Sequence, residues 1–577
     1  MTGRRWVPAA CTATLALLAL APVVLARGYV LVGDMSFVPD QPWKSAWLGL
    51  DGSVPRAVPA DAFTSALSHV VPGDLLQKVV LLGALLGAGV GAIRLVRVLL
   101  GERAVIAPTA AAVLYLWNPW VLERLAIGHW GLVVSYAALP WVAAAAHLVR
   151  RDGARALALV PGLAVAAFAS PTGGIMASLV ALVLVAERGR VRRLAEVVAI
   201  AAVLNLPWLL PGLIVSTEAG DPAGVNAFAA RADTPFGVVG SLLSLGGIWK
   251  SSIVPGERDS WFLVGIALLV TVAGLVVLLL RSRPGQGAAA GVHRRLLALA
   301  LIGFLLAVLP TGGPGRDLVR ALVEHVPGGG LLRDSQKWLA LFVLPVCVGV
   351  GVGFDAVRGW LVRHDALSPA LLGAVALFPV ILLPSLAWGL AGHLEPVHYP
   401  AEWAQARTAL EDQPAADLRT AVFPWSAYRR LPWNDQRAAL DPALRYFPGE
   451  VVTDDALPVG RTTIAGEDPV SARIGAALAA GDPLRPVLDS AGIRYLLVER
   501  IGEDASSLAA RVAAGDAAVL HDGPELELFD LGHGRPRHDL GRAWIVVVGD
   551  VLAAGTVLAY LAFGAVRRIR TKRGVMG

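Results

Sequence analysis

Apolar runs long enough to cross a bilayer recur along nearly the whole chain, and arginine clusters stand beside them. A spanning helix needs roughly 20 such residues, and hydrocarbon admits only helices or closed barrels because no water satisfies the backbone there. The clusters fall on alternate loops: Arg94, Arg97 and Arg103, then Arg150, Arg151 and Arg155, then Arg188, Arg190, Arg192 and Arg193, and later Arg281, Arg283, Arg294 and Arg295. Alternation of this kind is the signature of positive charge kept on the cytoplasmic side. It assigns the net charge of +6 to topology and not to nucleic-acid binding. Only 16% of the 577 residues are charged, against about 25% in soluble domains.

With the clusters inside, the sequence predicts helices near 7–26, 76–95, 104–118, 130–148, 155–170, 173–187, 194–215, 261–280, 296–310, 338–356, 367–391 and 542–565. The first run is longer than the apolar core of a cleavable signal and reads as a helix of the mature chain. The expected architecture is an all-α polytopic membrane protein of about twelve transmembrane helices, with both termini cytoplasmic and a small extracytoplasmic α/β domain. The membrane region occupies 1–391, the α/β domain 392–541, and a final helix with a basic tail 542–577. Strand-like runs "RTAVFPW", "IRYLLVER" and "LELFDL", with a helix expected at 504–514, give the domain its class. The loops 27–75, 118–129, 216–260 and 311–337 lie on the same outer side.

Those loops hold the polar residues that could carry chemistry. In "NPWVLERLAIGHW", Asn118 reads as a helix cap with Pro119 in the first turn. Trp120 and Arg124 are then i,i+4 neighbours that can stack. The segment reads as a short re-entrant or surface-lying helix with aromatic anchors at the interface. Glu123, Arg124 and His129 are expected to line an outward-facing polar site, since ionisable groups near membrane depth usually border a cavity. In "GGGLLRDSQKW", Arg333 and Lys337 are four apart, so one helical turn would aim both at a phosphate. Asp34 and Asp40 offer carboxylates near the membrane surface that either accept a proton from a hydroxyl or solvate their loop. Lys44, Arg231 and Lys250 read as loop solvation. Trp425, Tyr428, Trp433 and Tyr446 are interleaved with polar groups and serve either as a sugar platform or as core. Cys11 and Cys347, both in apolar runs, give neither a disulfide framework nor a metal site. No zinc-protease, Walker or dinucleotide signature is present.

An acidic first outer loop ("GDMSFVPD"), many crossings and an outer C-terminal domain resemble the GT-C superfamily of membrane glycosyltransferases. "LYLWNPWVLERLAIGHW" and "LLRDSQKW" resemble segments of actinobacterial relatives of the large arabinofuranosyltransferases and of YfhO-like membrane proteins. The resemblance implies transfer of a sugar from a polyprenyl-phosphate-linked donor to a cell-envelope glycan acceptor, among membrane lipids and without nucleic acid. It implies no cofactor, with room left for a divalent metal. The family's catalytic acid in the first outer loop would be Asp34, with Asp40 the second candidate. Many members carry two adjacent acids there, whereas these two are six apart. Arg333 and Lys337 would stabilise the leaving phosphate, with Arg124 or His129 assisting. Two other classes stay open. One is a non-catalytic envelope-assembly or scaffold protein of the same fold. The other is a lipid or polysaccharide transporter, for which mid-membrane polar residues such as Asn205 and His147 are few.

Overall fold

The computed structural model describes residues 6–573 apart from 103, 152, 216–220, 285–289, 364–368, 415–416, 460–461, 502–516 and 536–540. Among the described residues, seven helices are long and apolar enough to cross a membrane: Gly73–Leu100, Trp130–Arg151, Val191–Val215, Trp261–Arg281, Ala290–Thr311, Gln336–Leu361 and Ala543–Ala565. Val7–Ala19, Ala156–Ala169 and Pro171–Val185 are shorter apolar helices. The chain is a multi-pass membrane protein, though several expected spans take another form. The run at 7–26 breaks at Leu20, ahead of Pro22, into Val7–Ala19 and Ala21–Leu25. The run at 104–118 yields only Ile106–Leu116, which at 1.5 Å per residue is about 16 Å long.

The run at 367–391 is not one helix. It divides into Pro369–Val375, Phe378–Leu382, a turn at Pro384–Leu386 and Ala387–Ala391, the last with left-handed backbone at Trp388–Leu390. Pro379 and Pro384 have no N–H to continue a helical ladder, which is why hydropathy alone overstated this span.

Small residues set the helix contacts, as expected where lipid is as apolar as leucine. Gly91 lies against Pro140 and Trp141, and the Trp141 indole donates to the Gly87 carbonyl at 2.8 Å. Gly349 lies against the Gly274 carbonyl. Gln336–Leu361 is largely enclosed by its neighbours, while Trp261–Arg281 and Ala543–Ala565 leave most of their apolar surface uncovered, a lipid-facing surface.

Among the described residues, the soluble domain contains nine strands: β1 (Arg419–Phe423), β2 (Tyr428–Arg430), β3 (Ala438–Leu440), β4 (Val451–Val452), β5 (Leu457–Val459), β6 (Thr462–Ile464), β7 (Ile493–Glu499), β8 (Ala518–Asp522) and β9 (Leu526–Asp530). Five form a mixed sheet in the order β4-β1-β7-β9-β8, parallel from β4 to β7 and antiparallel beyond. Both faces are covered, and the two-residue period of a strand assigns each side chain. Ala421, Phe423, Leu496 and Val498 join one core with the helices Pro469–Ala480 and Leu484–Ser490. Val422, Tyr495 and Leu497 join the other with Trp403 of the helix Ala401–Glu411, Tyr446 and Phe447. The three strand-like runs seen in the sequence are β1, β7 and β9, and the helix expected at 504–514 lies outside the described residues.

The first outer loop joins the membrane part to this domain. Gly33 N–H donates to the Ala438 carbonyl at 2.9 Å, and Leu440 N–H returns a bond to the Gly33 carbonyl at 2.7 Å. Asp34 N–H donates to the Ile127 carbonyl at 3.0 Å. Gly33 and Gly128 have φ of +52° and +77°. A Cβ on Gly33 would run into the Ile127 carbonyl, and one on Gly128 into the Val32 carbonyl. Gly128→Ala is therefore expected to cost about 1–3 kcal/mol, read as a lower unfolding midpoint of the purified protein. An unchanged midpoint would show that this backbone contact is not needed.

Candidate active site

The helix Pro119–Ala126 forms as its sequence dictates: the Asn118 side chain accepts from Val121 N–H at 3.1 Å, and Pro119 supplies the first turn. Trp120 and Arg124 do meet, with the guanidinium 6.0 Å from the ring centre. The helix does not lie on the surface of the protein, however. Trp117, Trp120, Glu123 and Arg124 are all 0% exposed, so the aromatic residues are core and not interface anchors.

A buried guanidinium is tolerated only when its donors are matched. Arg124 donates to both carboxylate oxygens of Asp334, one at 2.9 Å, and to the Gln336 side-chain oxygen. It also points an N–H at His129 Nδ1, 3.1 Å away. Because a guanidinium has no lone pair to offer, Nδ1 must accept, which places the imidazole proton on Nε2. Nε2 in turn lies 3.1 Å from Asp34 Oδ2. Tyr428, at the start of β2, donates its hydroxyl to Asp34 Oδ1. Burial alone would push the Asp34 carboxyl up, but the His129 and Tyr428 hydrogen bonds and the charge of Arg445 hold it below the ordinary carboxylate range. Its side chain is still 46% exposed, so the carboxylate lies in a recess that protein encloses and water reaches.

A second buried cluster stands behind the first. Gln336 bridges the two, donating to Glu123 Oε2 at 2.8 Å. Arg258 grips Asp233 through two bonds of 2.6 and 2.7 Å. Burial and the neighbouring Asp233 push Glu123 far up, whereas Arg258 overcomes burial and holds Asp233 low. Glu123 is thus much the weaker acid of the two. For Asp334, burial raises the pKa but Arg124 overrides it, and the group stays ionised.

The remaining expected site residues are dispersed. Asp40 binds His69 at 2.7 Å and Arg407 at 3.4 Å, which ties the first outer loop to the helix Ala401–Glu411. Arg333 and Lys337 do not share a helical turn. Two short 3₁₀ segments, Gly329–Leu332 and Gln336–Leu339, are separated by a bend at Arg333–Asp334. Arg333 turns to Glu467 of the soluble domain at 2.9 Å. Lys337 lies within electrostatic reach of Asp334 and Arg124, with no hydrogen bond or ion pair among the described residues. Lys250, read from sequence as loop solvation, stands within electrostatic reach of Asp34. The four aromatic residues divide: Trp433 and Tyr446 pack in the core around Trp403, Trp425 packs on Phe423, and Tyr428 alone enters the site. Among the described residues, no three His, Cys, Asp or Glu side chains converge as a metal site. Sequence reading assigned no role to Asp334, Gln336, Asp233 or Arg258, and it did not single out Tyr428. The one local hint was the packing of Arg, Asp, Gln and Lys into "LLRDSQKW".

No family model and no curated protein matches this sequence. Among solved structures, the mycobacterial arabinofuranosyltransferase AftD superposes on 93% of the chain with a TM-score of 0.57 at 18% identity. Two structures of a mutant of that enzyme give 0.56 and 0.53. The chain has a GT-C-like fold. It spans about 40% of the length of AftD. A fainter likeness, TM-score 0.38 at 13% identity, is to an Archaeoglobus fulgidus oligosaccharyltransferase.

The Arg124 cluster makes its own prediction. Arg124→Met strands the ionised Asp334 in the interior and is expected to cost about 3–5 kcal/mol. Adding Asp334→Leu should recover most of that loss in thermal unfolding, and a double variant no better than the single would sink the account.

Proposed function

We propose that this chain is a membrane glycosyltransferase that moves a sugar from a polyprenyl-phosphate donor to a cell-envelope glycan on the outer side of the membrane, with both termini cytoplasmic. The observation that carries the proposal is the Asp34 carboxylate. It is ionised, accessible, fixed by one donor on each oxygen, and set in a recess of a GT-C-like fold. Each carboxylate oxygen keeps a second lone pair, so Asp34 can still take a proton.

In this reading, Asp34 accepts the proton of an acceptor hydroxyl as its oxygen bonds to the anomeric carbon. The bond from that carbon to the lipid phosphate breaks, and its electron pair leaves with the phosphate. Lys337 is the cation assigned to that phosphate, with Lys250 next to Asp34 as a second. A preorganised cation acts where charge develops and so lowers the barrier. Arg124 takes a positioning role, since none of it is exposed and both terminal nitrogens of its guanidinium are bonded. Asp40 and Arg333, which pair elsewhere, hold loops in place.

For the lipid tail we assign a shallow apolar cleft that opens to the outside. Leu263, Val264, Ala267 and Val270 of the helix Trp261–Arg281 form one wall, and Phe378 and Leu382 line the other. Arg258 and Asn118 reach its inner end, next to the buried cluster.

Asp34→Asn should lower transfer from a polyprenyl-phosphate sugar by about 10²–10⁴-fold, with unfolding unchanged. Full activity in that variant would favour the assembly-protein reading. The pH profile gives a second test. A base held below its usual value of about 3.9 stays ionised until strongly acid pH, so the acid limb of the rate should fall below pH 4. His129→Ala removes a lowering contact and leaves burial in force. Its acid limb should therefore move to higher pH, and a stationary limb would dissociate His129 from the base.

A further inference from the structure

The soluble domain holds another cleft, of about 420 Å³, where β7 ends beside the β8–β9 turn. Its walls include Pro432 and Trp433 between β2 and β3, Trp403, Glu499 and Arg500 at the end of β7, and Glu525.

Four of these residues carry polar atoms without partners. The indole N–H groups of Trp403 and Trp433 make no hydrogen bond, and Trp403 is 0% exposed. A buried donor left unmatched costs stability and needs a reason. Among the described residues, the Glu525 carboxylate accepts no hydrogen bond and joins no ion pair, while its backbone N–H donates to Glu402 and its carbonyl accepts from Arg500 N–H. The other charges are wholly or partly committed. Glu499 binds Arg429 through Oε2 and leaves Oε1 unmatched, and Arg429 also pairs with Asp441 at 2.9 Å. Arg500 binds Asp522 at 2.7 Å and also Glu527.

The free groups define the ligand. With no uncommitted cation and a free carboxylate, the cleft disfavours phosphates and acidic headgroups. It offers aromatic faces, two lone donors and an acceptor in one small space. A matching molecule has an apolar C–H face edged with groups that both donate and accept, which is the chemistry of a carbohydrate. A short stretch of chain links the cleft wall to the surroundings of Asp34. Trp433 lies on the segment that begins with Tyr428, and the adjacent Asn434 donates to the Leu31 carbonyl at 3.0 Å.

We propose that this cleft is a subsite for a neutral oligosaccharide, with Trp433 as the stacking face and the two indoles and Glu525 as hydrogen-bonding partners of its hydroxyls. Its use as the acceptor's subsite rests on the transferase reading, whereas binding itself is measured without any transfer. Maltohexaose, xylohexaose and linear arabinohexaose would be titrated into the full chain in detergent by calorimetry and saturation-transfer NMR. At least one should bind. Trp433→Phe, which keeps a ring and loses the N–H, and Glu525→Ala should each weaken binding about fivefold. Failure of all three sugars to bind, or binding that ignores both cleft variants, overturns the proposal. Binding without any measurable transfer upholds it and removes the transferase reading. Transfer that depends on Asp34 in a chain that binds none of the sugars does the reverse.

Discussion

The structure depends on one buried cation. Arg124 has no contact with water, and the energy of removing a guanidinium from water is offset because Asp334 takes two of its donors and Gln336 and His129 take one each. That requirement draws the segment before Gln336–Leu361 onto the short helix Pro119–Ala126. It also fixes the tautomer of His129, and through it the orientation of the proton that reaches Asp34. A lysine could not do this, since a point charge lacks the planar fork that serves two acceptors at once.

Around this centre the charges are sorted by environment. Behind it, burial and the neighbouring Asp233 push the Glu123 carboxyl up, and Arg258 holds Asp233 low. In front, Asp34 is ionised and open to water. The same residue type thus serves as a structural counter-ion at Asp233 and Asp334 and as an accessible base in the proposed reaction at Asp34. Exposure separates these roles, and exposure is a property of the fold.

Local features were legible in the sequence. The Asn118 cap, the Trp120–Arg124 stack and the strands β1, β7 and β9 follow from spacing within a few residues. Hydropathy located the apolar runs but not their breaks at Leu20 and around Pro379 and Pro384, because a run's mean hides where the ladder loses a donor. The site was half legible. Asp34, Arg124 and His129 could be singled out, but the bond from Arg124 to Asp334 spans 210 residues and that from Tyr428 to Asp34 spans 394. No local pattern encodes such pairs. Asp40 shows the complementary error: a carboxylate in the right loop whose partners, His69 and Arg407, make it a tether.

The Tyr428 contact has a consequence for assembly. The two donors that set Asp34 come from different parts of the chain, His129 from the membrane side and Tyr428 from the soluble sheet. The carboxylate reaches its final state only when both have arrived, and the second comes almost 400 residues later in synthesis. A chain still emerging, or one cut between the two parts, therefore carries the acid without its full setting. Completeness of the polypeptide is written into the chemistry of a single side chain, with no separate checkpoint required.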